Sequence, residues 1–247
     1  MAAITHLERA PITEALLDFR VTLPGEFRVD AFLPVREALR AGYPVVDEQR
    51  GFKTTFQFKP GNPPVTGTEL MGPQGYFFKS QDGLNIAQFR VNGFTYNRLA
   101  PYTSWDQVLP EALRLWDIYV EVAKPLSLDR LAVRYINRMK FPAGVDTSRY
   151  LNVLPPLFPG APRVVSGFVT RISTSDPASG LSTNVTEALD PALEPPFGVV
   201  ILDIDAFVMA GLAISQEHVR QVLERLRTVK NDVFFGSITD ETVRMYK

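Results

Sequence analysis

The chain has 247 residues, of which 45% are hydrophobic and none is cysteine. This length allows one large domain or two small ones, and the lack of cysteine excludes disulfides, thiolate zinc sites and cysteine nucleophiles. With 26 basic and 27 acidic residues the formal net charge is -1, which argues against a bulk polyanion binder but allows a local basic patch.

The first predicted element is a strand from Ile12 to Leu23, in which apolar residues alternate with polar ones such as Glu14 and Asp18. A period of two predicts one buried and one solvent-facing side. A helix is predicted next, from Asp30 as N-cap to about Ala41.

The rest of the first half reads as strands followed by a long helix. Phe52–Lys59 alternates, and the Pro/Gly-rich stretch Pro60–Pro73 predicts a loop. Gln81-Asp82-Gly83 predicts a hairpin turn between the strands Tyr76–Ser80 and Leu84–Val91, and Phe94–Leu99 adds another strand. Ser104 and Gln107 form a capping-box pattern for a helix to about Ala123, with Pro110 bending it near its start.

The second half repeats this order. Its predicted elements are a strand Leu126–Phe141, a short helix Asp146–Leu154, a loop Pro155–Pro162, strands Val164–Ser175, Leu181–Leu189 and Phe197–Val208, a helix after Ser215, and a short helix Thr239–Tyr246.

The two halves therefore predict an internal duplication. Residues 1–124 and 125–247 each give a β-α-β(3–4)-α unit, and together one compact globular body. The expected fold class is α+β, with a curved antiparallel sheet and the long helices on one face. This topology is similar to duplicated TATA-binding-protein-like and helix-grip folds, a likeness that carries no function with it.

Several short motifs resemble a sporadically distributed bacterial family of proteins of about this length. They are Ala10–Ala15 with Phe19-Arg20, Ser80–Gly83, Pro101-Tyr102 with Trp105, Arg134–Arg138 and Ser237–Asp240, in that order along the chain. The resemblance implies a bacterial accessory protein of a defence or toxin-linked locus. It implies no catalytic residues.

The strongest local feature is a basic stripe on the strand that contains Arg130, Arg134 and Arg138. Same-face neighbours in a strand lie about 7 Å apart, a spacing similar to that of successive phosphates. The predicted partner-binding residues are Lys53, Lys59, Arg90, Arg130, Arg134 and Arg138. Two alternatives remain: exposed sheet faces often carry such residues for solubility, and Glu14 and Asp18 could pair with the arginines as a structural ladder.

Asp203 and Asp205 share one face of their strand and are weak candidates for a divalent cation, which with Glu14 or Asp18 could form a nuclease-like cluster. A solvated or structural role is the alternative. His6 and His218 show no metal or triad spacing, and there is no glycine-rich phosphate loop, so no cofactor is expected.

These patterns favour a cytoplasmic, non-enzymatic binding module whose partner is another protein, with homo-oligomers also open. The N-terminus carries early charges and no apolar signal segment, and no stretch approaches the length of a membrane span. The alternatives are a nucleic-acid binder on the same basic face and a metal-dependent hydrolase that uses Asp203 and Asp205. A ligand cavity between the sheet and a long helix is a further option that sequence cannot show.

Overall fold

The computed structural model describes residues 4–57, 65–142, 146–156, 158–160, 162, 165–194, 196–209 and 211–247, with the backbone alone at 53–57, 65, 66, 68, 69 and 190–194. In these ranges nine antiparallel strands form one sheet in the order β2-β3-β4-β5-β1-β6-β9-β8-β7. The strands are β1 Ile12–Thr22, β2 Val45–Gln57, β3 Val65–Lys79, β4 Asn85–Arg90, β5 Gly93–Leu99, β6 Ser127–Pro142, β7 Phe168–Ser175, β8 Leu181–Glu194 and β9 Phe197–Val208.

Helices pack on this sheet, which gives the α+β class predicted from sequence. They are α1 Val35–Leu39, α2 Trp105–Ala123, α3 Gln216–Ser237 and α4 Asp240–Tyr246, with 3-10 turns at Val29–Phe32 and Thr147–Arg149. Across the described residues, no helix has both the length and the apolar character needed to cross a membrane.

The centre of the sheet is the antiparallel pair of β1 and β6, in which Leu17 lies opposite Val133 and Phe19 opposite Leu131. The odd-numbered residues from Ala15 to Val21 and from Leu131 to Phe141 point to the helices and are buried, as their alternation predicts. The even-numbered residues, including Asp18, Arg130 and Arg134, lie on the opposite face, which we call the open face.

The core lies between the sheet and the helices. Phe19 stacks on Trp116 of α2 with ring centroids 4.5 Å apart, and both side chains are fully buried. A second apolar cluster forms around Phe141, Phe234 and Ile238 at the far end of α3. Rings of this size bury the largest apolar area per residue, so these contacts anchor the helices to the sheet.

Two predicted helices are shorter than expected. The helix predicted from Asp30 to Ala41 is a 3-10 turn followed by the single turn α1, because Pro34, which has no N–H to donate, separates them. The prediction of a helix over Asp146–Leu154 is wrong beyond the 3-10 turn, which Asp146 caps by accepting from the Ser148 amide at 3.0 Å.

The loop predicted over Pro60–Pro73 is wrong from Val65 onward. This stretch belongs to β3, which pairs with β2 in a long hairpin. Pro73 is tolerated because it lies at a register shift, opposite Arg50, where the ladder is already irregular. Residues 58–64, with Phe58 and Lys59, lie outside the described part of the chain.

Two predicted strands are shorter than the observed ones: β2 begins at Val45, seven residues before the predicted start at Phe52, and β8 continues five residues beyond its predicted end at Leu189. The other predicted boundaries agree with the structure to within a few residues. The predicted capping box at Ser104 is wrong, because Ser104 precedes α2 without a side-chain capping bond. Ser215 likewise precedes α3 without one. Thr239 does cap α4, since its hydroxyl accepts from the Thr242 amide at 3.4 Å.

Candidate functional site

Charged and polar side chains from five strands meet in the middle of the open face. Asp18 lies on β1 opposite Thr95 of β5, and Thr95 lies opposite Gln88 of β4. On the other side Arg134 of β6 lies opposite Asp205 of β9. Strand pairing thus brings together residues separated by up to 187 positions of sequence, counted from Asp18 to Asp205.

Asp18 is the hub of this group. Its carboxylate accepts from the Thr95 hydroxyl at 2.6 Å, Arg20 Nε at 2.8 Å, Arg90 Nη2 at 3.0 Å and Arg130 Nη1 at 3.3 Å. An ionised carboxylate has about four acceptor positions, so all of them are used.

Two further carboxylates hold arginines of β6 in bidentate pairs. Arg130 Nη2 lies 2.7 Å from both oxygens of Asp205, which also accepts from Asn184 at 3.2 Å. Arg134 donates through Nε and Nη2 to Asp203 at 2.8 and 2.5 Å. Such charge-assisted pairs fix the guanidinium planes relative to the sheet.

The pKa values of these side chains follow from their burial and from the partners just described. Burial would raise the pKa of Asp18, but the hydrogen bond from Thr95 and the charges of Arg20 and Arg90 outweigh it, and the pKa lies below its usual range. Burial lowers the pKa of Arg90, and Asp18 opposes that shift. The hydrogen bond to Asp203 raises the pKa of Arg134. Asp18, Arg90 and Arg134 are therefore all charged near neutral pH.

These residues line an open cavity of about 350 Å³ with four arginines and two aspartates in its wall. Among the described contacts Arg20 donates through Nε alone, so both of its Nη groups are available. Arg90 Nε is buried and has no hydrogen-bond partner in the described part of the chain. The four arginines outnumber the two aspartates of the wall, and all acceptor positions of Asp18 are used while guanidinium donors remain, so this arrangement favours binding of an anion. We call it the arginine cavity.

The structure gathers three of the six predicted partner-binding residues at this cavity, namely Arg90, Arg130 and Arg134. Arg138 lies on the same face of β6, two positions beyond Arg134 along the same side. Lys53 lies where only the backbone is described, and Lys59 is outside the described residues. The stripe is ion-paired, and its carboxylates come from β9 as well as from Asp18.

Sequence reasoning missed Arg20 and Thr95. Arg20 has the right alternation for the solvent-facing side of β1, but nothing in the sequence shows that β5 and β6 flank this strand. The predicted pairing of Asp18 with an arginine of β6 is confirmed, at Arg130. Glu14 accepts from Asn97 at 2.5 Å, and its charge contributes to the raised pKa of Arg134.

The structure gives no metal-binding arrangement around the metal candidates Asp203 and Asp205 in the part of the chain that it describes. Within the described residues no group of three acidic or histidine side chains is arranged to hold a metal ion. Each aspartate is instead neutralised by an arginine that a cation would have to displace. This geometry gives the hydrolase hypothesis no support.

Comparison with known proteins gives no family for this chain. No family model matches it, and no curated protein matches it at a significant level. The resemblance noted from short motifs therefore stays a prediction.

Proposed function

We propose that the protein is a non-enzymatic binding module whose open face docks an acidic segment of a protein partner. The observation that carries the proposal is the arginine cavity, in which four arginines outnumber two aspartates and Arg20 has unused hydrogen-bond donors. A guest carboxylate would accept from these donors without breaking the pairs that orient them.

Arg20 and Arg134 are the residues best placed for first contact. Their side chains are 41% and 45% exposed, whereas Arg90 and Arg130 are held deeper in the network at 12% and 21%. We assign Arg20 and Arg134 to guest binding, and Arg90 and Arg130 to holding the cavity in shape.

The finer features of the fold belong to the same proposal. Each half runs strand, 3-10 turn, further strands and then a long helix, and β1 and β6 lead the halves and pair at the centre. This order supports an internal duplication with a curved sheet. The motif resemblance supports an accessory or neutralising role in a bacterial defence or toxin-linked system.

The proposal is tested with a fluorescein-labelled peptide of ten glutamates and fluorescence anisotropy at low ionic strength. Arg20→Gln and Arg134→Gln should each weaken binding about threefold to tenfold, because each removes one charge-assisted contact. The double variant should lose roughly the product of the two factors. Since screening acts on exposed charges, added salt should weaken the wild-type complex as well.

The matched control is Arg149→Gln, which removes an exposed, ion-paired arginine at a distance from the cavity. If the control weakens binding as much as Arg20→Gln does, net charge and not the cavity attracts the peptide, and the proposal fails. Unchanged binding in a folded double variant refutes it too. Tighter binding of a single-stranded oligonucleotide than of the peptide would favour the nucleic-acid alternative instead.

A further inference from the structure

A second cavity lies on the other side of the sheet, where the helices pack. It has a volume of about 540 Å³ and is bounded by the N-terminal segment, the start of α2, β6 and α3. This volume lies in the range of small-molecule sites, which are lined mainly by aromatic and apolar side chains with a few convergent polar groups. Its aromatic residues are Tyr102, Trp105, Tyr135, Phe234 and Phe235.

Lys230 of α3 is the unusual polar group in this wall. Its Nζ lies 3.9 Å from the centroid of the Tyr135 ring. In the described part of the chain no ion pair joins Lys230 to a carboxylate. A partly buried ammonium group held only by a ring face is costly unless a counter-ion arrives.

Arg227, one helical turn earlier, adds a second cation to the same wall. It contacts Glu224 at 3.5 Å and lies over the Trp105 ring at 5.3 Å. Glu224 also accepts from Trp105 Nε1 at 2.8 Å, so this carboxylate already has partners in Trp105 and Arg227. The two neighbouring cations repel each other, and a bound anion would relieve that repulsion.

Burial, with the charge of Arg227, lowers the pKa of Lys230 to about 7. The charged or titratable groups of the elements around this cavity are His6, Glu8, Tyr102, Asp106, Tyr135 and Arg227. Tyr102 and Tyr135 share a hydrogen bond of 2.9 Å between their hydroxyls, and burial raises the pKa of both. The phenols therefore stay neutral, and the lysine changes charge near neutral pH.

We propose that this cavity binds a small carboxylate with an aromatic or aliphatic body, whose anionic group pairs with Lys230 and Arg227 while its body lies among the aromatic side chains. The site is separate from the arginine cavity, since the two lie on opposite faces of the sheet. Because the anion favours the ammonium form, binding takes up a proton above pH 7.

The test is isothermal titration calorimetry with 3-phenylpropionate and octanoate, in buffers of different ionisation enthalpy. At pH 8 the wild type should take up most of one proton per ligand bound. Affinity should change little from about pH 6 to about pH 7, where the ligand carboxylate is ionised, and should fall up to tenfold per pH unit above this range. The neutral isostere 3-phenylpropanamide should bind at least tenfold more weakly, because it cannot form the ion pair.

Two variants separate the charge of Lys230 from its bulk. Lys230→Gln should lose both the affinity and the proton uptake, whereas Lys230→Arg should bind without taking up a proton and with a flat pH profile. Lys124→Gln, at the opposite end of α2, should behave like the wild type. The proposal is overturned if neither carboxylate binds, if the amide binds equally well, or if binding takes up no proton at pH 8. None of these measurements involves the acidic peptide, so the two proposals can fail separately.

Discussion

Replacing Asp18 with asparagine removes the carboxylate on which three arginines converge, and we expect a loss of stability dominated by one of them. Arg20 is well exposed, so its pair contributes below about 1 kcal/mol. Arg130 keeps its bidentate contact with Asp205. Arg90 is left with neutral acceptors only, namely the Thr95 hydroxyl and the amide oxygen that replaces the carboxylate.

The size of the effect follows from the burial of Arg90. Breaking a buried ion pair by removing one partner costs about 3–5 kcal/mol. Since Arg90 keeps the Thr95 hydroxyl and is 12% exposed, we expect a cost at the lower end, about 3 kcal/mol. The double variant Asp18→Asn/Arg90→Gln should cost about 2 kcal/mol less than the sum of the two single variants, because no uncompensated charge remains.

Urea denaturation at neutral pH measures these free energies, provided that the slope with denaturant is unchanged. The pKa of Asp18 is lower in the folded than in the unfolded chain, so its stabilisation is present above the unfolded value and is lost as pH falls through the folded value. The wild-type and variant stabilities should therefore converge in acid. A cost below about 1 kcal/mol, or strict additivity in the double variant, would refute this account of the hub.

The same variant makes an opposite prediction for binding. Without Asp18 the arginine cavity gains one net positive charge, so Asp18→Asn should bind the acidic peptide about tenfold more tightly while it is less stable. Weaker binding by the folded variant would mean that Asp18 orients the arginines more than it neutralises them.

Two further predictions concern the fold around the site. Burial raises the pKa of Glu187 from 4.5 to about 7, so the folded chain holds this proton more tightly than the unfolded chain does. The free energy of unfolding of the wild type should therefore fall by roughly 3 kcal/mol as the pH rises from 4.5 to about 7, and Glu187→Gln should remove that fall. An unchanged pH slope in the variant would place Glu187 near solvent. Gly93→Ala should cost about 3 kcal/mol or more in thermal or urea unfolding, because a Cβ there would lie 2.1 Å from the Phe19 carbonyl oxygen at a φ of +150°. Gly25→Ala, which meets open space, is its control, and equal losses in both would contradict the steric argument.

The sequence alone determined most strands and both long helices. Alternation in Ile12–Leu23 and Leu126–Phe141 correctly placed the two central strands and the faces of their side chains, because a strand with one buried face must alternate. Prediction from local composition failed in three places. Pro34 interrupts the first predicted helix, Asp146 caps only a 3-10 turn, and Val65–Pro73 pairs in a long hairpin where a loop was predicted.

Arg90, Arg130 and Arg134 could be named from sequence as open-face cations, but their partners could not. Which carboxylate meets Arg130 depends on β9 lying beside β6 and β1 on its other side, and strand order is set by the packing of the whole sheet. For the same reason Lys230 reads in sequence as an ordinary helix lysine. Only the tertiary structure places it against Tyr135 beside a cavity, because its burial, and the lack of an ion-pair partner among the described residues, depend on elements far apart in the chain.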